Sequence, residues 1–187
     1  KVGSEVVTSN DLENDMYKLE IENIDNRYSV TLVPKETFEL VDFYAEMPYK
    51  FRNGDKFFAN GYQSWTKTKE WKADEIMPST IKLANISEFT KDLARKTSDE
   101  WIVDYSGKEG EFHSHCYTYI KTGERVRLWG SLSEKTGYTI FKVKMNENRF
   151  FFCKDLLGKV ATEPIKVFDI VSFEGDYEEV FDKYFAM

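Results

Sequence analysis

Six consecutive residues, Asn60-Gly61-Tyr62-Gln63-Ser64-Trp65, hold the densest binding chemistry in this sequence. Asn-Gly is a turn signal, because glycine accepts backbone angles that few other residues tolerate. Phe57 and Phe58 precede the run and Trp71 follows it. The pattern reads as a short apolar strand ending in a turn that presents Tyr62, Gln63, Ser64 and Trp65 together. Those side chains offer two aromatic faces, one amide and two hydroxyls. A sugar ring calls for that mixture: a flat apolar surface to stack on and neutral groups to bond its hydroxyls. The competing reading makes Trp65 a core aromatic at a strand end, since most large aromatics are buried.

Other reactive side chains are less concentrated. His113 and His115 are two apart, so on a strand they share one face. That geometry can present two metal ligands, but no third donor lies nearby. The expectation is a pair of partly exposed strand histidines, with Cys116 on the opposite face. Glycoside hydrolysis needs two carboxyls roughly 5 to 10 Å apart across a cleft. Acidic residues are abundant, yet Asp104, Glu134 and Asp155 stand out no more than the rest. Ser64 has no marked base beside it, and no nucleophile elbow, phosphate loop or zinc-protease helix motif occurs. Autonomous catalysis, a metal and a cofactor are therefore not expected.

The 187 residues suit one large domain with a sizeable core, and 15 Phe, 11 Tyr and 4 Trp favour strands over helices. The net charge of -7 and the lack of a dense Lys/Arg run argue against a nucleic-acid partner. Cys116 and Cys153 lack metal-site spacing and form no disulfide framework; two buried thiols are expected, with a single disulfide the alternative. Nothing reads as a signal peptide, and no apolar run approaches membrane-spanning length, so a cytoplasmic protein without a membrane partner is expected. The first residue is Lys1 rather than Met, which leaves room for a trimmed leader.

The scaffold for these residues follows from alternation. Residues 16–23 and 27–33 alternate apolar and polar side chains around Asp25-Asn26, which makes a hairpin. Residues 38–47 read as a third strand and 56–59 as a fourth. Residues 66–96 lose the period of two and read as an irregular excursion, with a short helix over 87–95. Strands resume at 111–121, 126–132, 138–144 and 149–154, then at 159–173 with a break at Pro164. Gly130 inside a strand marks a bulge or a close approach. On the order of ten short strands require two packed sheets. After Gly175-Asp176, the residues Tyr177, Val180, Phe181 and Tyr184 recur at helical spacing, with acidic residues at the start of the run.

Three segments resemble a known family. Phe58-Ala59-Asn60-Gly61-Tyr62-Gln63-Ser64-Trp65 is similar to a segment of microbial α-galactosidases of the melibiase/raffinose-synthase family, glycoside hydrolase family thirty-six. His113-Ser114-His115-Cys116-Tyr117-Thr118-Tyr119-Ile120 and the run from Gly130 to Phe141 support the likeness. The resemblance implies an all-β supersandwich of the galactose mutarotase-like type over residues 1–174. Residues 175–187 would then begin a helical connector to a (β/α)8 barrel absent from this sequence. That barrel would carry both catalytic aspartates, so neither is transferred here. In some members an aromatic on a loop of the β domain reaches the galactose pocket. Trp65 matches that position, with Tyr62, Gln63 and Asn60 as companion substrate-binding residues. The sequence departs from relatives at Thr66-Lys67-Thr68, where a Ser/Arg-rich stretch is common.

The resulting expectation is a non-catalytic domain that supports an α-galactosidase barrel and helps to bind an α-galactoside jointly with it. A homo-oligomer of the full-length protein is compatible with this. The alternatives are a free-standing carbohydrate-binding module and a purely structural or oligomerisation domain.

Overall fold

The computed structural model describes residues 12–40, 43–61, 67–78, 107–156 and 158–187. Alternation produces the expected first hairpin. β1 (Tyr17–Ile24) pairs antiparallel with β2 (Arg27–Pro34), and Ile24 faces Arg27 across the two-residue turn. Asp25 takes φ 55°, a left-handed angle that its short polar side chain tolerates. The strand expected over 38–47 is instead two. β3 (Phe38–Glu39) joins a small two-stranded sheet, while β4 (Phe43–Pro48) joins a different one. β5 (Lys56–Ala59) forms a hairpin with β6 (Lys69–Lys72), so the stretch expected to be irregular from residue 66 has already returned to strand at Lys69. The helix expected over 87–95 lies outside the described residues.

A second correction falls at 111–121, where one strand was expected. β7 (Glu111–His115) and β8 (Tyr117–Thr122) belong to different sheets, and Cys116 between them sits at φ 66°. That left-handed residue turns the chain from one sheet to the other. Alternation continues through such a break, so periodicity alone does not reveal it. β9 (Arg125–Ser131), β10 (Thr139–Lys144) and β11 (Arg149–Lys154) follow. β12 (Val160–Ala161) and β13 (Ile165–Asp176) are separated at Pro164, which has no N–H to give a ladder. The chain closes with α1 (Tyr177–Phe185).

Among the described residues every strand pairing is antiparallel, in a seven-stranded sheet of order β1-β2-β13-β9-β8-β5-β6, a four-stranded sheet of order β4-β11-β10-β7, and the β12-β3 pair. The two larger sheets pack face to face through aromatic rings. Trp129 lies 4.7 Å from Phe150, Trp71 5.4 Å from Phe112, and Phe43 5.7 Å from Phe168, each pair spanning the two sheets. This is an all-β sandwich with one C-terminal helix, as the aromatic load and alternation require. One ion pair fastens the first hairpin to the centre of the large sheet. Arg27 forks onto Asp169 with two 2.7 Å bonds, and this pairing holds the buried Asp169 carboxyl below its ordinary range.

The outer face of the large sheet is covered by α1. Val180 is fully buried there against Tyr119, Val126 and Leu128, with Phe181 and Tyr184 beside it. Gly130 shows why its side chain is missing. A Cβ at that position would stand 2.3 Å from the Tyr184 ring, and the Tyr184 hydroxyl donates to the Ser131 carbonyl at 2.9 Å. The expected close approach is thus a helix ring laid on the strand. The β9–β13 register runs unbroken through Gly130, so no bulge is present here. Among the described residues, no helix is long and apolar enough to cross a membrane.

Candidate functional site

The Asn60 run begins where β5 ends, at the end of the sandwich where β7 crosses into β8. Its base is held from several sides. The Asn60 amide side chain donates to the His115 carbonyl at 3.0 Å. The Asn60 backbone N–H donates to the Ser114 hydroxyl at 2.7 Å, and the His115 N–H donates to the Asn60 carbonyl at 3.3 Å. The Ser114 hydroxyl in turn donates to the Tyr117 carbonyl at 2.6 Å, while Thr118 donates to the Phe58 carbonyl at 2.6 Å. On the far side of the loop the Gly61 N–H donates to the Thr68 hydroxyl at 2.9 Å. Loop entry and loop exit are therefore tied to each other and to the crossover.

The third segment reaches the same place. The Cys116 N–H donates to the Thr139 carbonyl at 2.9 Å, and the Ser131 N–H donates to the Cys116 carbonyl at 2.8 Å. Cys116 is thus the joint at which the Asn60, His113 and Gly130 segments meet. Beneath it lies a set of buried polar groups. Lys154, with 1% of its side chain exposed, donates to the Thr139 hydroxyl at 2.9 Å and the Ser133 carbonyl at 3.0 Å. Its ammonium lies 3.7 Å from Glu134, and burial pulls its pKa below the ordinary lysine range despite that partner. Glu134 also accepts the Thr139 N–H at 2.5 Å.

These environments decide what the groups can do. His113 and His115 are both buried, which corrects the expectation of partial exposure: β7 is enclosed on both faces. Their rings meet edge to face at 5.6 Å. Burial, the second histidine and Lys142 pull the His113 pKa down to about 3, so the ring is neutral at physiological pH. Burial also lowers His115, while a hydrogen bond to the Asn60 backbone and the Glu134 carboxylate oppose it. Burial next to Glu134 pushes the Cys116 thiol up to about 11, which keeps it protonated and unreactive. The Ser114 hydroxyl is committed to backbone groups on both sides. The hydrogen bonds at this end hold Asn60 and Gly61 in place.

Of the sequence-derived site residues, Asn60 is placed at this joint with its amide spent on the backbone, whereas Tyr62, Gln63 and Trp65 lie outside the described residues. Asp104 also lies outside them. Ser114 and Thr68, which do the clamping, were not singled out from the sequence. The signal for Ser114 was a small hydroxyl on the inward side of a strand otherwise filled by large side chains. Cys116 and Cys153 are free thiols; Cys153 is buried as expected, whereas Cys116, at the turn between two sheets, is only partly buried. Among the described residues, no three or more His, Cys, Asp and Glu side chains are grouped to hold a metal ion.

A second feature sits at the other end of β8. A cleft of about 440 Å³ opens between the segment joining β4 to β5 and the β8–β9 hairpin. Lys50, Arg52, Arg125 and Arg127 line it, together with Asp55 and Glu174. No Lys/Arg cluster is visible in the sequence, because these cations come from separate segments that only the sheet brings together.

Comparison with protein-family models gives no match to this chain, and comparison with curated proteins gives none either.

Proposed function

We propose that this chain is a non-catalytic β-supersandwich domain of an α-galactosidase-like glycoside hydrolase, and that the loop following Asn60 forms one wall of a galactose pocket shared with a catalytic barrel. One observation carries the reading. The three segments that bear the resemblance are remote in sequence (Asn60 and His115 are 55 residues apart) yet meet at a single joint around Cys116. A likeness confined to core packing would have no reason to gather at one end of the sandwich. The clamps on Asn60 and Gly61 give the loop a fixed base, and a fixed base is what a positioning role requires. Asn60 then acts by holding the loop, because its amide is already used on the His115 carbonyl. Trp65 is assigned to stack on the sugar, with Tyr62 and Gln63 bonding hydroxyls. Two free thiols support a reducing, cytoplasmic setting.

The test uses the longer polypeptide that this reading requires. Trp65→Ala is expected to lower kcat/KM on an aryl α-galactoside at least tenfold while leaving the fold intact. A change within about twofold, or about 0.4 kcal/mol, removes the pocket role. Calorimetry of the 187-residue chain with melibiose separates the alternatives. Silence is the expected result, because the pocket is only half present. Saturable heat would instead identify a self-sufficient carbohydrate-binding module.

A further inference from the structure

The cleft at the far end of β8 has no part in the sugar reading and is built differently from the Asn60 end. Its two walls are locked by Asp55, which is only 3% exposed. One Asp55 oxygen accepts the Thr122 hydroxyl at 2.7 Å and the other accepts the Arg52 backbone N–H at 2.8 Å. That single carboxylate fixes the segment before β5 against the β8–β9 hairpin and sets the width of the cleft. Glu174 lies 3.5 Å from Arg127. Lys50, Arg52 and Arg125 make no ion pair within 4.0 Å among the described residues, Arg125 feeling only the more distant Glu179, although the chain carries a net charge of -7. A surface with an excess of acid would ordinarily neutralise them. Three cations without a close ion pair, set against Asp55 and Glu174 around one concavity, create a local positive field that favours an anion. The buried side chain of Ile120 and the half-buried Tyr49 supply apolar lining next to them.

We infer that this cleft binds a small organic dianion, held by Arg52 and Arg125 with Lys50 in support. Two guanidinium forks and an ammonium match the charge and oxygen count of a phosphomonoester or a dicarboxylate better than those of a single carboxylate. A volume of about 440 Å³ lies in the range of small-molecule sites and leaves room for an organic body over Ile120 and Tyr49. The site does not depend on the α-galactosidase reading, and either can fail alone.

Amide chemical shifts of the 187-residue chain, titrated with phenyl phosphate, with succinate and with chloride at matched ionic strength, test the inference. Saturable shifts at Arg52, Asp55, Thr122 and Arg125 are expected with at least one dianion and not with chloride. Whichever dianion saturates at lower concentration names the ligand chemistry. The Arg52→Gln/Arg125→Gln double variant should weaken that binding about tenfold or more, with its remaining spectrum unchanged. The inference is overturned if neither dianion saturates below about 10 mM, if chloride reproduces the shifts, or if the double variant binds as the parent does.

Discussion

The two ends of β8 solve opposite problems. At the Cys116 end the groups are bonded to one another, mostly through backbone and hydroxyl, and the buried Lys154 ammonium is matched by Glu134. Over the six residues to Thr122, roughly 20 Å away, the chain passes to an end where cations stand in solvent beside a cleft. The first end gains precision from being over-determined, since removing one bond leaves several others in place. The second gains field strength from leaving charges unmatched. A loop that must sit in one place needs the former arrangement, and a site that must attract a charged ligand needs the latter. The difference implies that stability resides at the Cys116 end and ligand charge at the Thr122 end, and each half of that statement can be broken.

The largest effect is expected at Cys116. Its φ of 66° is tolerable for an unbranched side chain and strained for a branched one. Cys116→Val should destabilise the protein by about 2–3 kcal/mol, seen as a lower urea midpoint with an unchanged slope. Cys116→Gly, which accepts that angle freely, should stay within about 1 kcal/mol of the parent. If valine and glycine behave alike, the crossover is not the rigid joint described here.

That joint also shows what could be read from the sequence. Strand positions were legible where apolar and polar residues alternate, and the first hairpin of β1 with β2 follows directly from that pattern. Sheet membership was not legible. Residues 111–121 alternate straight through Cys116, and only the backbone angle there sends β8 into the other sheet. The same blindness hid the burial of His113 and His115, because periodicity reports which residues share a face and not whether that face is covered. Gly130 was readable as a close approach, since a missing side chain in a strand has few other causes, but its partner Tyr184 lies in a helix 54 positions on and could not be named from the sequence. Asn60 was legible as a turn residue, yet its clamping partners were not, because hydrogen bonds to carbonyls leave no mark on the sequence. The cationic cleft was invisible for a related reason: Lys50, Arg52 and Arg125 converge through the pairing of β5 with β8.

An intermediate effect is expected from pH. His113 has a folded pKa of about 3 against an ordinary value of about 6.5. The unfolded chain therefore takes up a proton below about pH 6.5 that the folded chain refuses. The stabilisation is complete above pH 6.5 and falls as pH drops towards 3, by up to about 1.4 kcal/mol per pH unit. His115 contributes in the same direction, since burial lowers it too. Glu46, Glu75 and Asp169, which are held below their ordinary ranges by Arg149, Lys69 and Arg27, lose their contributions only at lower pH. Denaturant unfolding between about pH 6.5 and 5 isolates the histidines. His113→Gln should flatten that slope by up to about 1 kcal/mol per pH unit, whatever its effect at neutral pH. An unchanged slope would mean that the ring is hydrated in solution and that this end of the sandwich is not dry.

The smallest effect is expected at the cationic end. Arg52 and Arg125 are exposed, and neither has a carboxylate partner among the described residues whose loss would strand a buried charge. Replacing both with glutamine should change stability by less than about 0.5 kcal/mol at moderate salt. Added phosphate should then raise the melting temperature of the parent and leave that of the variant where it was, because a ligand stabilises only the fold that binds it. The two measurements bear on each other. If the double substitution cost several kcal/mol, these arginines would be part of the scaffold and the contrast between the two ends of β8 would collapse. If it cost nothing and phosphate stabilised both proteins equally, the contrast would stand, but the cleft would not be where the anion binds.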